Sequence, residues 1–231
     1  MNGRVLAPEL LDSLPPTDPA AIRSRADLRR VNWWMGNVGH VTHAIESLPK
    51  FPASILEIGA GDGTFMLKVA ERLKRRSERD VRLYLLDREP VIQPGTLAAF
   101  SRLGWRAEVV HADVQEWSRR GEVADLVTAN LFLHHFSDSQ LAEMFQAFSR
   151  NCSTFVACEP RRWRPSVVGT RLLWCIGCNR VTLHDADVSV RAGFRERELS
   201  ALWPAESGFQ VREGPAGFAS HLFLATRAGA N

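Results

Sequence analysis

The chain has 231 residues, 45% of them hydrophobic and 24% charged, a balance typical of one folded domain rather than of a disordered chain. The formal net charge of +3 is too small to indicate a nucleic-acid-binding protein, in which a basic stripe is expected. The first twelve residues lack a signal-peptide pattern, and no window has the roughly 18 uninterrupted apolar residues of a membrane span. We therefore expect no nucleic-acid partner, no integral membrane segment and a cytoplasmic location, in which the four cysteines are reduced thiols.

Residues 1–52 carry no strand pattern and predict a helical N-terminal extension. A strongly charged stretch over 21–30 predicts one helix, and apolar residues at a spacing of three to four over 37–48 predict a second. Pro49 and Pro52 end this extension.

From residue 53 to residue 160, short apolar runs alternate with helical patterns, which indicates βαβ units and a parallel sheet. The predicted strands are Ser54–Ile58, Val81–Leu86, Ala107–His111, Asp125–Thr128 and Thr154–Cys158. The predicted helices between them are Thr64–Arg75, Gly95–Leu103 and Ser139–Ser149. The continuous apolarity of the predicted strands is expected of strands that are covered on both faces.

The remainder of the chain departs from this alternation. Residues 161–204 are rich in Arg and Trp, hold one apolar helical pattern, and end in a predicted helix over Arg195–Leu202. Residues 205–231 contain two predicted strands, Phe209–Glu213 and His221–Thr226, with glycine and proline between them, as in an antiparallel hairpin. The sequence thus predicts one α/β domain with a doubly wound, mostly parallel seven-stranded sheet, helices on both faces and a C-terminal hairpin.

The strongest motif follows the first predicted strand, where Gly59, Gly61 and Gly63 precede a helix. Glycines at this turn allow a ligand to lie against bare backbone. A nicotinamide dinucleotide would want a further glycine at Thr64, and an acidic Asp62 would face its pyrophosphate. Glu57 and Asp62 suit a ligand whose nearby part is cationic.

The segment Glu57-Ile58-Gly59-Ala60-Gly61-Asp62-Gly63 resembles the first motif of the Rossmann-like, class I S-adenosylmethionine (SAM)-dependent methyltransferases, in their small-molecule branch. The resemblance extends over residues 53–160. It implies SAM as the cofactor and S-adenosylhomocysteine (SAH) as its product. It places Glu57, Gly59, Ala60 and Gly61 against the cofactor.

Three further strand ends are expected to bind the cofactor. The ribose diol is expected at Asp87, about 20 residues after the glycines, with Arg88 either covering the adenine or solvated. The resemblance implies adenine contacts at Asp113 and Val114, although Asp113 would also serve as a helix cap. It implies that Asn130 and Leu131 lie where the methionine end of the cofactor meets the substrate.

Three histidines are candidates for the reaction itself. Leu133-His134-His135 is similar to the same stretch in small-molecule methyltransferases, and it lacks the Asn/Asp-Pro-Pro-aromatic motif of enzymes that methylate bases. Removing a proton from a phenol favours a histidine base. His184, flanked by carboxylates, is the favoured base over a solvated loop histidine; His135 is the second candidate, and His134 is expected to contact the substrate.

The substrate side of the site is expected to be aromatic and basic. Trp33 and Trp34 either pack in the core or offer an aromatic face to a substrate ring or the sulfonium. Trp163, with Val167, Val168, Leu172 and Trp174, would close over a hydrophobic ligand, and Arg191 would bind an anionic group on it. Cys175 and Cys178 form a lone pair without a second one, so no metal site is expected.

These features predict metal-independent methyl transfer to a small aromatic or lipophilic acceptor, at a phenolic oxygen. Carbon methylation of a polyketide-like or quinone-like ring, a non-catalytic SAM-binding protein and a nicotinamide oxidoreductase remain as alternatives. The sequence is also compatible with a homodimer.

Overall fold

The computed structural model describes residues 3–74 and 80–228. Seven strands form one sheet in the order β3-β2-β1-β4-β5-β7-β6. Their bounds are β1 Ser54–Ile58, β2 Val81–Asp87, β3 Trp105–His111, β4 Ala124–Asn130, β5 Cys152–Pro160, β6 Phe209–Ala216 and β7 Ser220–Arg227. Strands β1 to β5 are parallel, and β7 runs antiparallel between β5 and β6. The predicted doubly wound sheet with a closing hairpin is confirmed.

Helices surround the sheet and precede it. They are α1 Leu10–Ser13, α2 Pro19–Met35, α3 Asn37–Glu46, α4 Thr64–Leu73, α5 Pro94–Arg102, α6 Val114–Arg119, α7 Asp138–Asn151, α8 Arg164–Leu172, α9 Arg180–Ala192 and α10 Glu198–Leu202. Short 3-10 helices lie at Leu133–His135, Leu173–Ile176 and Ala205–Ser207. Within the described residues, no helix combines the length and the apolarity that crossing a bilayer requires.

Two apolar layers cover the two faces of the sheet, as the alternation of side chains along a strand requires. In β1, Ile55 packs in the layer that contains α3, α4 and α5, whereas Leu56 packs in the layer that contains α6, α7 and α10. An aromatic cluster of Phe145, Phe155 and Phe223 lies at the centre of the second layer, with ring centroids 5.4–6.1 Å apart. Burial of each such side chain contributes about 1.5–3 kcal/mol.

Strand order decides where a ligand can bind. The chain leaves β1 toward β2 on one side, and the connection from β3 crosses back to β4 on the other side, so the direction of winding reverses at β1. In register, Ile58 pairs with Leu86 of β2 and with Ala129 of β4. The loops that follow β1, β2 and β4 therefore meet at one edge, which is the position of ligand sites in such sheets.

The helices differ from the sequence predictions in several places, and the short helix α1 was not predicted. Helix α2 continues past the predicted charged stretch to Met35, where Gly36 ends it with a φ of 74°. The predicted helix over Arg195–Leu202 begins only at Glu198, because Phe194 pairs with Arg161 and Glu196 has a φ of 54°. Helix α9 was not predicted, and the predicted end of the helix after β1, at Arg75, lies outside the described residues.

Candidate active site

A cavity of about 780 Å³ opens at this edge of the sheet. Thirteen of the sequence-predicted site residues line it: Trp34, Glu57, Gly59, Ala60, Gly61, Asp87, Arg88, Asp113, Val114, Asn130, Leu131, His134 and His135. The volume lies in the range of small-molecule sites, about 300–1,000 Å³. Residues that are up to 101 positions apart in the chain thus form one continuous wall.

The glycine loop is fixed by backbone hydrogen bonds and by Asp87. The N–H groups of Gly59 and Ala60 both donate to the carbonyl of Leu86, at 2.9 and 3.0 Å. The N–H of Gly61 donates to Oδ2 of Asp87 at 2.8 Å, and Glu89 N–H donates to Oδ1 at 2.8 Å. Each carboxylate oxygen of Asp87 keeps a second lone pair, which a ribose diol could use.

The loop also leaves room for a ligand. Gly61 has a φ of 55° and borders the cavity, and a Cβ built on it would meet no described atom within 4 Å. This is the bare backbone cradle that a nucleotide-like cofactor needs. The residues present therefore fit the cofactor that the sequence motif implies.

Glu57 is a buried carboxyl group at the floor of this region. Its Oε2 is buried and has no hydrogen-bond partner among the described residues. Burial, and then the negative charges of Asp62 and Asp87, raise the pKa of Glu57 well above its usual value. A cationic group bound next to it would supply the missing partner.

Asp113 carries out the capping role that was the alternative interpretation of its position. Its Oδ1 accepts hydrogen bonds from the N–H groups of Gln115 and Glu116, at 2.8 and 3.3 Å, and so caps α6. Because Asp113 also lines the cavity, the cap aims this carboxylate at the site.

Three asparagines connect the N-terminal helices to the end of β4. Asn130 donates to Oδ1 of Asn32 at 2.9 Å and accepts from Asn37 at 2.9 Å, and Asn37 also donates to Asn32 at 3.0 Å. Leu131, the next residue, has a φ of 51°, a strained conformation outside glycine. Asn32, Asn130 and Leu131 lie on the cavity wall, and the buried Asn37 supports them from behind.

The histidine pair follows directly and is organised by Glu159, a buried residue in β5. Oε1 of Glu159 accepts the N–H groups of Phe132 and Leu133, at 3.0 and 2.9 Å. Its Oε2 lies 2.8 Å from Nδ1 of His134. Glu159 therefore fixes both the backbone and the side chain of the turn.

His134 also contacts Glu9, from the N-terminus of the chain, with Nε2 3.3 Å from Oε1. Burial alone would lower the pKa of His134, but the hydrogen bonds to Glu159 and Glu9 and their charges raise it to about 9. Although burial acts in the opposite direction, the hydrogen bond and charge of His134, the charge of His135 and the hydroxyl of Ser189 lower the pKa of Glu9 to about 2. At neutral pH, His134 is an imidazolium held between two carboxylates.

His135 has the opposite electrostatic environment. Burial and the positive charge of His134 lower the pKa of His135, against the negative charges of Glu9, Asp12 and Glu159. Its Nε2 lies 3.9 Å from Glu9 and its Nδ1 lies 3.7 Å from Asp12. A neutral imidazole that lines the cavity has a lone pair for a proton.

Donor atoms of Glu9, His134 and His135 lie within 4.8 Å of one another, as in a metal site. A metal ligand must offer a lone pair, so a histidine ligand must be deprotonated at the ligating nitrogen. Both ring nitrogens of His134 face carboxylates that favour its protonated form. The cluster is accounted for as an ion-pair network.

The structure leaves four predicted site residues outside the cavity. His184 is about half exposed and its Nδ1 faces Asp185 at 3.0 Å. Arg191 pairs with Asp187 on the surface of α9, and Trp33 is 80% exposed. Trp163 stacks under Arg161, at 4.1 Å, and against Phe218.

The apolar residues that were predicted to close over the ligand lie outside the cavity as well. Val168, Leu172 and Trp174 are 59–66% exposed and do not contact the cavity. The segment lines the cavity instead through small and polar residues of α8 and α9 and through Leu173: Ser166, Gly169, Thr170, Thr182, Asp185, Ala186, Ser189 and Val190.

Sequence analysis did not identify four polar residues that organise this region: Glu9, Asp12, Glu159 and Asn179. Glu9 and Asp12 lie in a stretch without periodicity, and no local signal connects them to His134. Glu159 is the penultimate residue of β5, and a carboxylate near a parallel strand end was a usable signal. In α9, Asn179 caps the helix by accepting from Thr182 N–H at 2.8 Å, a pattern that could have predicted this helix.

Comparison with known proteins agrees with this geometry. Residues 55–154 match a family model described as a methyltransferase domain. This range contains the glycine loop, Asp87, Asp113, Asn130 and the histidine pair. No curated protein sequence matches the chain.

Solved structures are similar in fold at low sequence identity. The plantazolicin methyltransferase BpumL in complex with SAH is 14% identical, with a TM-score of 0.64 and 91% of each chain covered. An O-methyltransferase family protein from Burkholderia thailandensis is 15% identical, with a TM-score of 0.56 and coverage of 95% of this chain and 64% of that one. The pyocyanin biosynthetic protein PhzM is 20% identical, with a TM-score of 0.55 and coverage of 92% and 60%.

At these identities the structures establish the fold, and the family match supplies the chemistry. The sequence motif, the cradle at Gly61 and the matched domain agree. The chain contains a methyltransferase domain over residues 55–154, and its fold is that of the class I SAM-dependent methyltransferases.

Proposed function

We propose that the protein transfers a methyl group from SAM to the phenolic oxygen of a small aromatic or lipophilic acceptor. One observation carries this proposal: the cavity is continuous from the glycine loop to the histidine pair. A methyl donor and an acceptor can therefore lie end to end, as an in-line displacement requires.

The cofactor in this proposal lies against the glycine loop. Asp87 binds the ribose, Asp113 and Val114 face the adenine, with Arg88 beside them, and Glu57, Asn130 and Leu131 lie at the methionine end. Bound there, SAM supplies an electrophilic methyl group and leaves as SAH. The neighbours named above, which include an O-methyltransferase family protein and a pyocyanin biosynthetic protein, are consistent with small acceptors.

The acceptor side of the cavity favours a neutral, apolar molecule. Its apolar wall comes from the N-terminal residues, from α2, from the 3-10 helix that begins at Leu173 and from α9, with Leu6, Leu11, Leu14, Leu28, Val31, Trp34, Leu173 and Val190. Carboxylates outnumber cations in the lining, which disfavours a polyanion such as a nucleic acid.

His135 is the proposed base. Its ring nitrogen accepts the proton of the acceptor hydroxyl, so the oxygen carries full negative charge while its bond to the methyl group forms. The nearby carboxylates of Glu9 and Asp12 stabilise the imidazolium that results. No metal is needed for this step, and we expect turnover to withstand a chelator.

The test is an assay with methyl-labelled SAM and two probe acceptors, 4-nonylphenol and 4-nonylaniline, with products identified by mass spectrometry. We expect a methyl ether from the phenol. A ring-methylated phenol would identify a carbon methyltransferase, and N-methyl-4-nonylaniline would identify an N-methyltransferase. SAH binding without any product across a wider panel of acceptors would contradict the proposal.

Two histidine variants separate the candidate bases in the same assay. His135→Gln is expected to lower kcat by about 10²–10⁴-fold, the usual contribution of a general base. His184→Gln is the matched control and should keep wild-type kcat, because His184 lies outside the cavity. Equal activity of His135→Gln and wild type would remove the base from the mechanism.

A further inference from the structure

Residues 4–16, which we name the N-terminal strap, form one wall of the cavity. The inference drawn from them rests on the proposed function. Eight strap residues line the cavity: Leu6, Ala7, Pro8, Glu9, Leu11, Asp12, Leu14 and Pro16. No residue of the strap lies in the matched methyltransferase domain, which begins at residue 55.

The first anchor of the strap is Arg4, whose side chain is only 7% exposed. It donates to the carboxylate of Asp138 at 2.6 Å and to the backbone carbonyls of Phe136 and Ala192 at 2.9 and 2.8 Å. Its guanidinium lies 4.2 Å from the ring centroid of Phe194. A buried arginine with this many acceptors holds a fixed position.

The second anchor is Asp185 of α9, whose side chain is 9% exposed. Its two carboxylate oxygens accept the N–H groups of Leu10 and Leu11, at 2.8 and 3.0 Å. These bonds fix the backbone on the C-terminal side of Glu9, as Arg4 fixes it on the N-terminal side. Glu9 is thus held from both directions.

Glu9 then joins both histidines. Its Oε1 lies 3.3 Å from Nε2 of His134 and 3.9 Å from Nε2 of His135, and Ser189 of α9 donates to the same oxygen. Of the two carboxylates that hold His134, Glu159 belongs to the sheet and Glu9 belongs to the strap. Without the docked strap, His134 would keep one partner instead of two.

We propose that Glu9 is a positioning residue for the methyl transfer and that the docked strap delivers it. Glu9 fixes the His134 ring between two carboxylates and places a negative charge next to His135, the group that takes the acceptor's proton. The proton-accepting centre is therefore complete only when the strap is docked, and Arg4 controls activity although its side chain does not line the cavity.

The first test needs no acceptor. Full-length protein with ¹⁵N-labelled histidine is titrated by NMR as wild type, Glu9→Gln and Arg4→Ala. The titration midpoint of His134 should fall from about 9 toward neutrality in both variants, since Glu9 is neutral in one and displaced in the other.

An unchanged His134 midpoint in Glu9→Gln would overturn the proposal. A shift in Glu9→Gln without one in Arg4→Ala would overturn the role of the strap, because Glu9 would then hold its place without the anchor.

The second test measures turnover with 4-nonylphenol and affinity for SAH. Both single variants should lower kcat by at least about tenfold while the Kd of SAH stays within about twofold. In the Glu9→Gln background, Arg4→Ala should have no further effect, because the anchor acts through Glu9. Arg106→Ala, which removes an exposed ion pair with Asp80, is the control and should match wild type.

Other outcomes of this test are equally decisive. Fully multiplicative effects of the two variants, or a parallel loss of SAH affinity, would show a general structural role and overturn the proposal. If wild type methylates none of the acceptors, the proposed function fails, and the NMR titration still decides whether the strap sets the state of His134.

Discussion

Two glycines in one loop have different physical roles. Gly59 and Gly61 both have positive φ, at 72° and 55°. A Cβ on Gly59 would lie 2.3 Å from the ring of Phe132, whereas a Cβ on Gly61 would meet no described atom within 4 Å. The first glycine is therefore required by packing and the second by the ligand.

Alanine at each position should separate these roles. Gly61→Ala should cost about 1–2 kcal/mol of unfolding free energy from the left-handed backbone, yet lower SAH affinity at least about tenfold. Gly59→Ala should lose about 1–3 kcal/mol more stability, because Phe132 must move. Chemical denaturation and SAH titration check both values; equal stability of the two variants would contradict this assignment.

Site residues could be predicted where a sequence motif specified their positions. Glu57, Asp87 and Asn130 lie at the carboxyl ends of their strands and Gly61 lies just after one, so a local pattern sufficed to bring them to one cavity. The prediction of His184 as the base rested on its acidic neighbours alone. In the fold, helix α9 turns the His184 ring outward. Glu9 could not be found, since its partner is 125 residues away.

Helix α2 lines the cavity and contacts the glycine loop. Arg29 of α2 lies 2.9 Å from Oδ2 of Asp62, in the middle of the glycine loop. Asp62 also accepts from the N–H and hydroxyl of Thr64, at 3.0 and 2.5 Å. The acidic residue that the sequence suggested for a cationic ligand thus binds a cation of this chain and joins α2 to the loop.

Removing that connection should affect ligand release more than stability. Arg29→Ala should change the unfolding free energy by less than about 1 kcal/mol, because the Arg29 side chain is 53% exposed. We expect faster dissociation of SAH, since α2 is then less firmly held over the cavity. Stopped-flow displacement measures the rate; Lys68→Ala, which removes the exposed Lys68–Glu71 pair of α4, is the control. Equal dissociation rates would show that α2 does not retain the cofactor.

At this scale the sequence predicted elements unevenly. The five parallel strands are short apolar runs that alternate with helical patterns, and each was located to within a few residues. In helix α9, polar and charged residues interrupt the apolar ones, because one side meets the cavity and another meets solvent, so the helical period of its apolar residues was hidden. Its polar face, with Asp185 and Ser189, binds the strap.

At the scale of the whole molecule, the sheet with its glycine loop could be predicted from sequence, whereas the acceptor side of the cavity could not. The sheet and the glycine loop follow from local periodicity and one motif, which is why fold and cofactor class were accessible from sequence. The acceptor side is built from the strap, α2, α8 and α9, which meet only in the folded chain. Their contacts are long-range, so composition alone could not place them.

We expect this cavity to bind the sulfonium nucleoside SAM through the glycine loop and Asp87. Calorimetric titration of the purified protein with SAM, SAH and NADH, on wild type and Asp87→Asn, tests it most directly. We expect micromolar binding of SAM and SAH, no heat from NADH, and an affinity loss of about 1–3 kcal/mol in Asp87→Asn. Folded wild-type protein that binds NADH and neither sulfur ligand would contradict the account.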